Sequence, residues 1–351
     1  MMMIAPLPAA QRRVTVILPC RNEAPHIAAC LDSILASAHP AERLEVLVVD
    51  GMSTDGTRQV IEQYVAAHPR IQMLDNPKHI VPTGLNIAIR AATGEIIVRT
   101  DGHVVYPPEY IPRLVGALLE SGADNVGGCL ITLPADGTAV SQAIAIAMGH
   151  PFGVGNAHFR IGAKQARDVD TVPFGCYRRD LFTRIGMFDE ELVRNQDDEF
   201  SHRIIRSGGR VRLIPDVVCY YYARGSLRQA SRMFYQYGAF KPLVARKVGR
   251  IMTVRQLVPA LFVATLCATM LGAFFWPPVG WLGAGIAAVY ALCVAACALP
   301  VARSHGLRCA VALAAALPVV HLSYGFGFLR GLRDGVFGSR WRDPSAVPMS
   351  R

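Results

Sequence analysis

The last third of the chain most constrains what it can fold into. Three apolar segments, at roughly 257–276, 279–302 and 308–329, follow one another. Each reaches the ~20 residues a helix needs to cross a bilayer. Nothing amphipathic remains to cover them, so a buried soluble core is the weaker reading. Between Asp216 and Asp334 there is no Asp or Glu, and the approach to the segments carries Arg224, Arg228, Arg232, Lys241, Arg246, Lys247, Arg250 and Arg255. Basic residues flanking apolar spans mark a cytoplasmic membrane face drawn to anionic lipid. The mean hydropathy of +0.30 and the net charge of +10 have their source here. A pI near 9.3 also suits nucleic acid, but no stacking or groove-reading motif accompanies the charge, so no nucleic-acid partner is expected. Two spans would put the turn at 276–279 outside and Arg303 and Arg308 inside. The third segment holds Pro318 and His321. It reads either as a full span, which puts Arg330, Arg333, Arg340 and Arg342 outside against the positive-inside rule, or as a broken hairpin that returns.

The first 250 residues have a different rhythm. Strand-like runs at 14–18, 44–49, 71–74, 95–100 and 125–133 alternate with helical spacing at 24–37, 57–67, 83–92 and 107–121. This order predicts an α/β domain, Rossmann-like, with a mainly parallel sheet covered by helices. Residues 134–175 interrupt it. A short apolar helix at 139–148 and a Gly-rich stretch at 149–155 suggest a lid or a membrane-interface segment. A helix at 196–207, a strand at 211–215 and a basic, aromatic helix at 227–248 complete the part before the spans. The expected division is a tail at 1–13, a catalytic domain at 14–250, a membrane region at 251–333 with two or three helices, and a basic tail at 334–351. The 9 Cys are scattered without metal spacing, which fits a reducing compartment. Residues 1–13 carry no apolar stretch of signal-peptide length, so the globular part is expected in the cytoplasm.

Three acidic sites stand where an open α/β sheet exposes its ligand crevice. Pro19, Cys20, Arg21, Asn22 and Glu23 close the first strand at a helix N-terminus, a natural phosphate site. There Arg21 can pair with a diphosphate and Glu23 can position a ribose or base, or the segment simply caps the helix. Asp50 ends the second apolar run and can accept the N–H of a uracil or guanine ring. Ser53, Thr54 and Asp55 read as turn and capping residues. Asp101, Gly102 and His103 follow the strand at 95–100. A carboxylate and an imidazole two apart can share a cation, and Gly102 lets the backbone approach a ligand. Mg²⁺ prefers oxygens, and an imidazole suits Mn²⁺ somewhat better. Asp197 opens a helix and can take a proton from an acceptor hydroxyl. Asp198 and Glu199 read as complements to the helix dipole.

Together these motifs resemble glycosyltransferase family 2 on a GT-A fold. The matching runs are VILPCRNE at 16–23, VVDGMSTDGT at 48–57, GLN at 84–86, DGH at 101–103, GCYRR at 175–179, GMFD at 186–189 and QD at 196–197. With its membrane tail the whole chain is similar to the succinoglycan-biosynthesis glucosyltransferase subgroup, to which VDTVPFG at 169–175 adds. The resemblance implies an inverting, metal-dependent transfer of a hexose from a nucleotide-sugar, usually a UDP-sugar. The acceptor would be a polyprenyl-diphosphate-linked saccharide. Membrane lipid and other exopolysaccharide-assembly proteins would be partners, and the inner membrane the location. Pro19, Arg21, Glu23, Asp50 and Asp101 would hold the nucleotide. Asp101 and His103 would hold Mn²⁺ or Mg²⁺, His103 standing where the family has a second Asp. Asp197 would be the base, with Gln196 in place of the usual Glu. Gly175, Cys176, Tyr177, Arg178 and Gln196 would border the acceptor. The Gln-x-x-Arg-Trp signature of processive synthases is absent, which favours single-sugar addition over polymerisation. The alternatives are a processive synthase, and a membrane scaffold that has lost activity.

Overall fold

Runs of Val, Ile and Leu without polar alternation need cover on both faces, and the strands they form are buried along their length. A computed structural model describes residues 8–249 and 253–337. Of the expected tail at 334–351, the part up to Phe337 continues the last helix, and 338–351, with Arg340 and Arg342, lies outside the described residues, as do 1–7 and 250–252. In chain order the elements are β1 (Val14–Cys20), α1 (Ile27–Leu35), β2 (Leu44–Asp50), α2 (Thr57–Ala67), β3 (Ile71–Asp75), α3 (Val81–Ala91), β4 (Ile96–Arg99), β5 (Val104–Val105), α4 (Tyr110–Ser121) and β6 (Asn125–Leu133). Then come α5 (Ala139–Gly149), α6 (Pro151–Val154), α7 (His158–Ile161), β7 (Arg167–Asp168), β8 (Cys176–Arg178), α8 (Leu181–Ile185), α9 (Gln196–Arg206) and β9 (Val211–Tyr222). The chain continues through α10 (Leu227–Val248), α11 (Val258–Gly272), α12 (Pro277–His305) and α13 (Leu307–Phe337).

These elements form two compact units. One comprises the described residues up to Ile131 together with Gly162–Tyr221; the other comprises Thr132–Ile161 and the described residues from Tyr222 onward.

The sheet has the order β3-β2-β1-β4-β8-β6-β9-β5, with β7 beside β9. The pairs β3–β2, β2–β1 and β1–β4 are parallel, as the alternation predicts. The pairs of β8 with β4 and β6, and of β9 with β5 and β7, are antiparallel. The sheet is therefore mixed. Its antiparallel part joins the longer β6 and β9 to the short β5, β7 and β8, which carry no periodic signal of their own. Close packing within it depends on Gly128, where a Cβ would overlap the Val217 carbonyl. β9 also runs well past the expected end at 215. Pro215 lacks an N–H, but Val217, Cys219 and Tyr221 are alternately buried and carry the strand on.

In the second unit, three helices are long and apolar enough to cross a membrane: Val254–Gly272, Pro277–His305 and Leu307–Gly335. α13 passes through Pro318 without a break, so the returning hairpin is not formed. Proline removes one backbone hydrogen bond, and packing of α5, α10, α11 and α12 around α13 holds the helix together. The backbones of α10 and α13 touch. A Cβ on Gly238 would overlap the Tyr324 carbonyl, the small-residue contact that membrane helices use to approach closely. The segment read as a lid or interface piece is docked here. His321 of α13 contacts Tyr290 Oη of α12 at 2.8 Å through Nδ1 and the Phe152 carbonyl of α6 at 2.8 Å through Nε2.

Candidate active site

The first unit gathers its polar residues at one edge of the sheet, the carboxyl ends of β1, β2 and β4. The loops there are tied to one another. The Asn22 N–H donates to Ser53 Oγ (2.9 Å), the Thr54 N–H to Asn22 Oδ1 (2.9 Å), the Glu23 N–H to Thr57 Oγ1 (2.8 Å) and the Ala24 N–H to Asp55 Oδ2 (3.1 Å). Asp55 is thus a structural capping residue. Backbone strain concentrates at the same edge. Among the described residues, Asn22, Met52, His79, Phe174 and Asn195 are the non-glycines in the left-handed region. Asn22, Met52 and His79 follow β1, β2 and β3, Phe174 precedes β8, and Asn195 caps α9. Strain of this kind costs about 1–3 kcal/mol per residue and collects at functional sites.

Glu23, Asp101 and His103 meet here. His103 Nδ1 lies 2.6 Å from Asp101 Oδ1 and 3.3 Å from Glu23 Oε1. The three residues each offer one ligand atom within 4.8 Å of the others. Two carboxylates and an imidazole, with Glu23 and His103 buried and Asp101 partly exposed, suit a hard or borderline divalent cation. Glu23, expected to position a ribose or base, faces this cluster. Gly102 allows it, since a Cβ there would stand 3.1 Å from Glu23 Cγ. The His103 ring packs edge-on against Tyr221 at 4.9 Å. The Asp101 N–H donates to Tyr106 Oη (2.8 Å), which fixes the turn.

Asp50 closes β2 at 0% exposure. Its carboxylate accepts from the Ser53 N–H (3.0 Å), the Ser53 hydroxyl and Arg58 Nη1 (2.8 Å), and Arg58 also reaches Asp75 at 2.8 Å. The carboxylate is engaged inside the loop rather than open to the crevice. Pro19 lies on β1 beside Gly84, and Arg21 runs along Gly51, whose Cβ position is 3.1 Å from Arg21 Cβ.

Asp197 stands in the first turn of α9, and its Oδ1 is ion-paired with Nη1 of Arg99, the last residue of β4. Asp197 stays 26% exposed while Arg99 is almost wholly buried. Gln196 beside it is buried. Glu199 salt-bridges Arg203 at 2.6 Å, and Arg203 in turn donates to the carbonyls of Ile185 and Met187, so Glu199 anchors α9.

The acceptor segment needs correction. β8 runs antiparallel to β4, with Val98 opposite Cys176 and Ile96 opposite Arg178. Gly175, whose carbonyl accepts from the Arg99 N–H at 2.9 Å, is at the crevice edge. Cys176 and Tyr177 are 0% and 1% exposed, packed in the core with Phe182 and Phe200. Arg178 emerges at the opposite edge, beside Arg12 and Glu95 in a cavity of about 670 Å³. Of the β8 residues proposed from the sequence, Cys176, Tyr177 and Arg178 therefore do not face the crevice.

The model of glycosyl transferase family 2 matches residues 15–185. The succinoglycan biosynthesis protein ExoA of Rhizobium meliloti (strain 1021) is 30% identical over 322 residues, which is 91% of this chain and 94% of that protein. The chain belongs to glycosyl transferase family 2. A Methanococcus voltae relative, the dolichyl N-acetyl-α-D-glucosaminyl phosphate 3-β-D-2,3-diacetamido-2,3-dideoxy-β-D-glucuronosyltransferase, is 26% identical over 242 residues, covering 67% of this chain and 74% of its own. In fold, this family 2 glycosyltransferase is similar to the mannosyltransferase PcManGT of Pyrobaculum calidifontis, solved with GDP-Man and Mn²⁺. The TM-score is 0.55 at 24% identity, over 93% of this chain and 90% of that one. The first unit thus has the GT-A architecture that the motifs implied.

Two residues of the candidate site were not singled out from the sequence. Arg99 ends an otherwise apolar strand, IIVR. A charge in a buried run must be paired, and that was the available signal. Tyr106 gave none, because its role depends on a turn geometry that the residue pattern does not encode.

Proposed function

We propose that this glycosyltransferase moves a single hexose, glucose in the first instance, from a UDP-sugar to a saccharide on a polyprenyl diphosphate carrier, with inversion, during exopolysaccharide assembly. The observation that carries the reading is the convergence on one sheet edge of Asp197, the Glu23–Asp101–His103 cluster and the Asp50–Arg58–Asp75 network. The succinoglycan role of the R. meliloti relative and the dolichyl phosphate acceptor named for the M. voltae relative support the acceptor class.

The Asp197 carboxylate takes the proton of the acceptor hydroxyl. That oxygen attacks the anomeric carbon from the face opposite the nucleotide, and the bond to the diphosphate breaks with its electron pair on the leaving group. Gly175 and Gln196 flank the acceptor. Asp50 orders the base-binding loop through Ser53 and Arg58, and Arg21 and Pro19 border the nucleotide. Glu23, Asp101 and His103 would hold a divalent metal, Mn²⁺ or Mg²⁺, which would offset the charge developing on the leaving diphosphate. The apolar helices anchor the protein in the inner membrane with the first unit on the cytoplasmic side, in keeping with the basic residues of α10. Membranes carrying wild-type protein or Asp197→Asn test the base directly. Label transfer from UDP-glucose to lipid should fall by about 10²–10⁴-fold in the variant, and near-wild-type turnover would remove Asp197 from the role.

A further inference from the structure

Arg99 is the last residue of β4, and all four residues of that strand are buried. A guanidinium keeps its charge at any physiological pH, so its place in the sheet core requires partners. Three surround it. Nη1 pairs with Asp197 Oδ1. The backbone N–H donates to the Gly175 carbonyl at 2.9 Å. The guanidinium carbon stands 5.8 Å from the centre of the Phe174 ring. Phe174 is itself buried with φ of 47°, a conformation a bulky residue keeps only when its surroundings impose it. Its ring lies 6.5 Å from that of Tyr106, the residue that fixes the Asp101 turn.

We propose that Arg99, braced by Phe174, is the positioning residue for the Asp197 base. This rests on the assignment of Asp197 above. Arg99 holds one carboxylate oxygen from within the sheet, so that the exposed side of Asp197 is presented to the acceptor hydroxyl. The grip runs from β4, which leads directly into Asp101, to the first turn of α9. It therefore sets the base relative to the bound donor. Proton and electron flow are unchanged: the acceptor proton still goes to Asp197, and Arg99 exchanges none.

The test uses the full chain in membranes, with kcat for sugar transfer and UDP affinity measured separately for Arg99→Met, Arg99→Lys and Phe174→Leu. Misplacing a reacting group by about 1 Å costs on the order of 100-fold, and Arg99→Met should lose that much kcat while UDP affinity stays within about twofold. Arg99→Lys restores a cation without the planar fork and should recover about tenfold of the loss. Phe174→Leu should lower kcat by roughly threefold to tenfold, again without moving UDP affinity. Three results would overturn the proposal: unchanged kcat in Arg99→Met, a lysine variant no better than methionine, or UDP affinity falling in step with kcat. Should Arg99→Met not accumulate, Phe174→Leu decides by the same criteria. Failure of the underlying reading looks different, because the wild-type protein would then show no transfer or Asp197→Asn would retain it.

Discussion

Truncating Asn86 should loosen the segment that leads into α9. Asn86 lies buried in α3. Its Nδ2 donates to the Phe188 carbonyl at 2.9 Å and to Glu190 Oε1 at 3.1 Å, and its Oδ1 accepts from the Phe188 N–H at 3.0 Å. One side chain thus satisfies both backbone groups of a residue that is itself buried against Phe200, with ring centroids 4.5 Å apart. Asn86→Ala leaves that N–H and C=O without partners and without access to water. Each such group costs about 1–3 kcal/mol, so the pair amounts to about 2–6 kcal/mol. For a unit of this size each kcal/mol lowers the melting temperature by about 2–4 °C, and a mid-range loss of ~3 kcal/mol corresponds to about 6–12 °C. Thermal unfolding of the purified protein in detergent, followed by near-UV circular dichroism, measures it. Sugar transfer at a permissive temperature should also fall, because Glu190 is only a few residues ahead of the helix that bears Asp197. A melting temperature within ~2 °C of wild type, a loss below about 1 kcal/mol, would refute the reasoning.

Glu23→Gln removes one of three candidate ligands and should weaken Mn²⁺ affinity by about tenfold or more, read by metal titration of transfer activity; an unchanged midpoint would take Glu23 out of the cluster. Gly238→Ala would push the α10 and α13 backbones apart and should cost about 1–3 kcal/mol, visible as a lower melting temperature in detergent. Burial pushes up the thiols of Cys20, Cys30 and Cys176, and that of Cys129 to about 11. The folded chain keeps these protons while the unfolded chain releases them above about pH 8.5, so stability is full below that pH and declines as pH rises further. Denaturation midpoints between pH 8 and 10 check the sign, and a flat profile would contradict it.

The parallel half of the sheet was legible because β1, β2 and β4 are buried almost throughout and read as nearly unbroken apolar runs, with β3 a shorter run at the edge. The strand expected at 44–49 is Leu44–Asp50, and the helix expected at 196–207 is Gln196–Arg206. The antiparallel half was legible only in part: β6 was expected at 125–133 and β9 as far as 215, whereas β5, β7 and β8 were not expected. β8 has three residues and exists through pairing with β4 and β6, and nothing local distinguishes it from a loop. That gap misdirected the acceptor residues, since direction along β8 decides which of Gly175 and Arg178 reaches the crevice. At the site, the acidic positions were readable from their place at strand ends. Their partners were not: Arg99 meets Asp197 across 98 positions of chain, a contact made by the fold alone. Pro318 shows the converse, a strong local breaker overridden by the helices packed around it.

The central claim is that the crevice performs metal-assisted transfer of one sugar to a lipid-linked acceptor. Incubating wild-type membranes with labelled nucleotide-sugars and bacterial lipid extract, with Mn²⁺, Mg²⁺ or chelator, tests it most directly when the lipid products are sized. One labelled species extended by a single residue, lost with chelator and restored by metal, is the expected product. A ladder of products, labelling indifferent to chelator, or no labelling from any donor would contradict it.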